Sequence, residues 1–172
     1  MAEATLSGAT HPILENDYAS EWMGIEVVAL DDGHATIRMA LRQEMLNGFG
    51  MAHGGMIFAF GDTAFALACN QSTPSPADEG NITVASGVDI NFLKPAFRGQ
   101  VLTAVANRRA VTGRSGLFDV QIFAADPAAG TPAAAPAGPA PAATVPGQLP
   151  TDMPPGELIA EFRGRSRTIS KK

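Results

Sequence analysis

Residues 54–71, GGMIFAFGDTAFALACNQ, are apolar around almost the whole circumference of the helix they would form. A helix without a polar face has to be covered on every side, so it belongs inside a core. At 16–18 residues it would be ~25 Å long. It is too short and too rich in small residues for a convincing membrane span, which needs ~20 apolar residues. Ser72-Thr73-Pro74-Ser75-Pro76 ends it. One flat sheet face cannot hide such a helix, so the sheet that packs on it must curl around it.

The rest of the chain supplies that sheet. Residues 10–23 read as a short amphipathic helix. IEVVAL, the turn Asp31-Asp32-Gly33 and HATIRMAL then read as a hairpin. In its second strand Ala35, Ile37, Met39 and Leu41 share one face, with Thr36, Arg38 and Arg42 on the other. ITVASGVDINFL alternates strongly, which puts Ile82, Val84, Val88, Ile90 and Phe92 on one side. Lys94-Pro95 stops it. VLTAVANRRAV, LFDVQIFA and ELIAEFRGRSRTI complete the set, the last with a basic outer face. The order is helix, two strands, long helix, four strands. That segregation indicates an α+β fold with an antiparallel sheet.

A length of 172 residues with 45% apolar side chains suits one domain with a real core. The expected domain spans 1–172. Nine of the thirteen prolines fall in residues 126–156. That alanine-proline composition cannot offset its ordering entropy by burial, so it reads as a disordered insertion in a hairpin loop. The N-terminal residues carry no basic segment followed by an apolar stretch, so no secretory signal is expected. The single cysteine, Cys69, excludes an intrachain disulfide, and a cytoplasmic location is the default. His11, His34 and His53 lie far apart without ligand spacing, so no metal site is expected.

Two features could carry chemistry. Asp62 is the only charged residue between Glu44 and Asp78. A lone carboxylate in an apolar helix is costly unless it is paired or functional. Burial would raise its pKa and suit it to general-base work. The competing structural role is an Asp facing a solvent gap, or bonded to Thr63 or a loop amide. The second feature is Asn47-Gly48 followed by His53-Gly54-Gly55, directly before the helix. A helix N-terminus presents free N–H groups and partial positive charge to an anionic or polarised oxygen. An ordinary glycine turn is the alternative, and His53 alone is most simply a hydrogen-bonded loop histidine. Gly54 and Asp62 are eight positions apart, ~12 Å along one helix. Both would have to stand ~3 Å from one reacting centre. Acting together, they must therefore come from two copies of the helix in a two-fold dimer.

Charge is uneven along the chain. Residues 1–93 carry two basic and twelve acidic side chains, residues 94–172 ten and five. The cations Lys94, Arg98, Arg108, Arg109, Arg114, Arg163, Arg165 and Arg167 could meet an anionic partner or simply solvate strand faces. Nucleic acid is disfavoured, because Phe97, Phe118 and Phe162 sit at positions that look like core instead of interleaved stacking sites.

MLNGFGMAHGGMIFAFGDTAFALACN resembles the signature of hotdog-fold thioesterases of the PaaI type, from the phenylacetate pathway. GVDINFLKPAFRGQVLTA, ENDYASEWMGIEVVALDDGHATI and FRGRSRTI are similar to that family's strand-turn-strand, N-terminal helix with hairpin, and closing strand. The resemblance implies a hotdog fold, with an antiparallel sheet wrapped around one central helix. It implies an acyl-CoA thioesterase acting on phenylacetyl-CoA or a hydroxylated form, with no metal and no cofactor. Asp62 matches the catalytic carboxylate and Gly54 the amide that polarises the thioester carbonyl. Asn47 and His53 match residues that orient that carbonyl and its loop. Gly55, Lys94, Arg98 and Arg114 are the expected CoA contacts. Where some relatives place a hydroxyl on the following strand, this chain has Ala85. The implied assembly is a homodimer with shared sites, paired into a homotetramer, with no membrane partner. A hotdog hydratase using His53, or a non-catalytic acyl-CoA-binding domain, are the alternatives.

Overall fold

The computed structural model describes residues 10–73, 75–76, 80–127 and 154–171. The alanine-proline insertion expected at 126–156 lies, from 128 to 153, outside the described residues.

The secondary structure is α1 (Tyr18–Met23), β1 (Glu26–Asp31), β2 (His34–Ala40), α2 (Gly54–Cys69), β3 (Asn81–Phe92), β4 (Val101–Thr112), β5 (Ser115–Ala125) and β6 (Glu157–Ser170). The six strands form one antiparallel sheet in the order β1-β2-β4-β5-β6-β3. Helix α2 packs against all six of them, so the sheet curls around it as the apolar pattern requires. Ala35, Ile37, Met39 and Leu41 of the hairpin are buried, as are Phe118, Val120 and Ile122 of β5.

The contact between α2 and the sheet depends on two glycines. Gly61 lets the helix lie directly on Ile122 and Phe162, and Gly164 lies under the Phe65 ring. Phe65 in turn meets Phe118 edge-on at 5.4 Å and Phe162 at 5.9 Å between ring centroids. Phe60 and Phe65 are both fully buried. Each contributes on the order of 1.5–3 kcal/mol by area removed from water.

Two local patterns differ from expectation. Residues 10–23 are not one helix. A 3-10 turn at Pro12–Leu14 is separated from α1 by Asn16, which has φ +60°. Asp17 then caps α1 by accepting from the Ser20 N–H at 3.1 Å. In β3 the alternation is interrupted. Ser86 is an extra residue between the pairs Ala85↔Ser166 and Gly87↔Arg165, and its hydroxyl donates to the Arg165 carbonyl at 3.0 Å. A bulge flips the faces on either side of it. Val88 and Ile90 therefore pack on the core, whereas Val84 and Ile82 stand opposite the exposed Arg167 and Ile169 on the outer face.

The C-terminal end of α2 is tied down from both sides. The Asn70 side chain donates to Thr83 C=O and accepts from Thr83 N–H, both at 3.0 Å. The Asn70 carbonyl accepts from Nε2 of the buried His11 at 3.1 Å, while His11 Nδ1 accepts from Ile13 N–H. These bonds fix a neutral His11 with its proton on Nε2, and burial holds its pKa below the ordinary histidine value.

A side chain at position 164 tests the close approach. A Cβ there would lie 2.6 Å from the Phe65 ring. Gly164→Ala should lose about 1–3 kcal/mol of stability by overpacking, measured by urea unfolding. An unchanged midpoint would mean that α2 does not seat on β6 as described.

Candidate active site

His53 is the N-cap of α2, with extended φ −65° and ψ 131°. Its Nδ1 accepts from the Gly55 N–H at 3.0 Å. An accepting Nδ1 leaves the ring proton on Nε2. The cap commits the Gly55 amide. Gly54, the first residue of the helix, has no intrahelical acceptor for its N–H, and no bond of the described loop uses it. Of the two glycine amides, Gly54 is therefore the free donor at the positive end of the helix dipole.

Asn47 builds the loop leading to that point. Its Oδ1 accepts from Phe49 N–H at 2.9 Å and Met51 N–H at 3.2 Å, and its own N–H donates to Met51 C=O at 2.8 Å. His53 N–H donates to Met45 C=O and Ala52 N–H to Ala96 C=O, each at 2.8 Å, which fixes the loop to the body of the fold. Within the chain, the structure thus brings Asn47, His53 and Gly54 together at one end of α2.

Asp62 stands apart from them, in the middle of α2. It is half-buried, and among the described residues its carboxylate meets no hydrogen-bond donor and no cation. Desolvation by burial pushes its pKa up. Thr63, the neighbour that could have satisfied it, donates instead to Ala59 C=O and meets Ser20 Oγ at 3.3 Å. The carboxylate is therefore unpaired, with raised basicity, on a helix face left open by this chain. That face also presents Phe58, which is 38% exposed. Burial pushes the Cys69 thiol up to about 12, opposed by a bond to Ser166 and reinforced by the Asp62 charge. A thiol so held is protonated at neutral pH and is no nucleophile.

The hydroxyls near β3 are already engaged. Thr83 Oγ1 meets Thr168 Oγ1 at 2.9 Å, and Ser86 serves the bulge. Ala85, at the position expected for an assisting hydroxyl, offers none.

The cations divide in two. Arg108 forks onto Asp32 at 2.8 and 2.7 Å, Arg109 and Arg163 flank Asp119, and Arg165 pairs with Asp89 at 2.7 Å. Exposed pairs of this kind contribute little, ~0–1 kcal/mol each. Of the expected CoA contacts, Lys94 and Arg98 follow the end of β3, the end that touches Gly54 through Phe92. Lys94 pairs with Glu157 at 2.9 Å, and Arg98 lies in the exposed turn before β4. Arg114 donates to Thr168 C=O, close to the opposite end of β3.

Sequence reasoning missed Phe92 as a neighbour of the site. Its ring lies 3.3 Å from where a Gly54 Cβ would stand, and the residue is 53% exposed. Its place at the end of the β3 alternation was the available signal. Among the described residues no His, Cys, Asp and Glu grouping could hold a metal ion, and no helix is long and apolar enough to cross a membrane.

Comparison with known proteins agrees with this fold. The Thioesterase superfamily pattern matches residues 49–131. The acyl-coenzyme A thioesterase PaaI of Escherichia coli K12 is 39% identical over 112 residues, covering 65% of this chain and 75% of that protein. The solved structure of E. coli PaaI, from the phenylacetic acid degradation operon, has a TM-score of 0.69 and 30% identity over 97% of this chain and 98% of that one. The phenylacetic acid degradation protein PaaI of Thermus thermophilus shares the fold, with TM-score 0.63 and 24% identity over 88% of this chain and 98% of that one. A central helix wrapped by an antiparallel sheet, a free amide at its start and a lone carboxylate at its middle thus come with detectable kinship: this chain belongs to the thioesterase superfamily, as a PaaI-type hotdog protein.

Proposed function

We propose that this thioester hydrolase cleaves an aryl-acetyl-CoA, phenylacetyl-CoA or a ring-hydroxylated form, to the free acid and CoA, in sites formed between two copies of the chain. The carrying observation is one separation. The unpaired Asp62 carboxylate and the free Gly54 N–H lie ~12 Å apart on the same helix, too far to share a carbonyl. A two-fold partner removes the difficulty, because each helix then supplies the carboxylate to one site and the amide to the other.

The chemistry follows from the residues. The thioester oxygen accepts from Gly54 N–H, where the helix dipole favours developing negative charge. Asn47 and His53 hold that amide in place through the loop and the cap. Asp62 of the other chain either draws a proton from an attacking water or attacks the carbonyl carbon itself. Both routes need it ionised. The C–S bond then breaks and CoA leaves as its thiolate; on the second route water afterwards hydrolyses the acyl–Asp62 anhydride, which releases the free acid and restores the carboxylate. The route uses no metal and no cofactor. The acyl choice is supported by the likeness to E. coli PaaI, whose structure is described as belonging to the phenylacetic acid degradation operon. Lys94 and Arg98, exposed beyond Gly54, suit the CoA phosphates.

Asp62→Asn should retain the fold and lower kcat at least ~100-fold, as loss of a base does, measured by thiol release from phenylacetyl-CoA. Full activity would refute the assignment. In the parent protein, kcat/KM should fall as the pH drops through an apparent pKa above the ordinary aspartate value, because burial raises Asp62 and only its ionised form works. A limb at or below the ordinary value would place the working group elsewhere. Gly54→Pro removes the donor at a helix position that tolerates proline. It should cost kcat ~100-fold or more while the far-ultraviolet circular dichroism is retained, and an unaffected rate would exclude that amide.

A further inference from the structure

Gly54 carries the amide on which the proposed hydrolysis rests, yet its backbone does not ask for glycine. It is the first residue of α2, and neither it nor Gly55 has a positive φ. Alanine is the better helix former. What each position requires is space, and the neighbour differs. A Cβ at position 55 would stand 3.2 Å from His53 Nδ1, the atom that caps the helix. A Cβ at position 54 would stand 3.3 Å from Cζ of Phe92, and 3.6 and 3.7 Å from its Cε1 and Cε2. The three distal atoms of the ring are nearly equidistant from that point, so the ring meets Gly54 tip-first.

The strand that carries the ring is pinned. Phe92 pairs with Ala160 at the end of β3, and the Leu93 and Lys94 N–H groups both donate to Ile159 C=O, at 2.8 and 3.2 Å. The loop before Gly54 is pinned to the same region. Ala52 N–H donates to Ala96 C=O at 2.8 Å, and Met51 bridges to Phe97. Ala96 and Phe97 belong to the turn that follows Phe92, so strand end and loop form one frame. The contact of Phe92 with Gly54 closes that frame on the start of the helix. Phe92 lies opposite the fully buried Ala160, on the side of β3 where Val88 and Ile90 pack on the core, yet it stays 53% exposed. Its ring rests on a glycine instead of filling the core.

We propose that Phe92 is a positioning residue for the Gly54 N–H: the tip of its ring sets where the first turn of α2 stands, and with it where the free amide meets the thioester oxygen. The inference rests on Gly54 being that donor. Such a donor works only at close to its ideal distance from the developing oxyanion, and a misplacement of ~1 Å can cost ~100-fold in rate. The contact also accounts for the glycine. A methyl group at 54 leaves the N–H in place but has to push against a ring that the strand end does not let retreat.

An exchange of volume across the contact tests this. Phe92→Leu removes the ring tip, and Gly54→Ala adds a methyl while keeping the amide. Each alone should lower kcat for phenylacetyl-CoA ~10-fold, a shift smaller than ~1 Å being involved, with KM changed less than ~2-fold. Combined, they refill the contact, so the double variant should return to within ~3-fold of the parent kcat. Losses that multiply in the double variant, or Phe92→Leu at the full parent rate, overturn the inference. A raised KM with unchanged kcat does so too, because the ring would then only bind substrate. Phe92→Ile, suited to a strand, takes the place of the leucine variant should circular dichroism show that one unfolded. Gly54→Pro separates the two levels. If it is inactive and no rescue occurs, the role of Phe92 alone is contradicted, whereas an active Gly54→Pro contradicts the donor and Phe92 together.

Discussion

The contact between α2 and the concave face of the sheet is what the rest of the structure depends on. The helix is apolar on nearly all sides, so no arrangement that covers one stripe of it suffices. The sheet answers by wrapping around it, and Gly61 and Gly164 let helix and strands approach closely enough for the phenylalanine rings to interlock. What the sheet leaves uncovered is the face with Phe58 and Asp62. The same contact that forms the core therefore also leaves Asp62 on an open face, next to the edge strand β3.

Desolvation has two opposite outcomes on this helix. At Cys69 it holds a thiol in its inert protonated form. At Asp62 it raises the basicity of a carboxylate that still reaches the open face. The amide at Gly54 is prepared in a different way. His53 takes the next N–H along, so the cap that stabilises the helix start also selects which donor stays free. The rigid rise of one helix keeps the two groups ~12 Å apart within a chain.

Much of this was legible before any coordinates. The wrap-around α+β fold followed from a helix with no polar face, and the β2 and β5 faces followed from strict alternation. Asp62 stood out because a single charge in an apolar run is conspicuous, and Gly54 because glycines precede a helix start. The β3 faces were read wrongly beyond the bulge, because one extra residue inverts a period-two pattern without changing composition, and Ser86 looks like any other strand residue. The break at Asn16 was missed for a similar reason, since a single left-handed residue inside an amphipathic stretch leaves the pattern intact. The grip of Asn70 on Thr83, and of His11 on Asn70, depends on tertiary proximity across 13 and 59 positions, which no local pattern encodes.

A heterodimer measures the central claim, that each site is built from two chains. Chains carrying Asp62→Asn and chains carrying Gly54→Pro, given different affinity tags, are co-expressed and the mixed species is purified through both. If carboxylate and amide come from different chains, one site of each mixed dimer collects both defects and the other is intact, so the preparation recovers about half of the parent thioesterase rate per dimer by this count of sites. If both groups come from one chain, every site carries one defect and the mixed species stays as inactive as its parents, which would contradict the account.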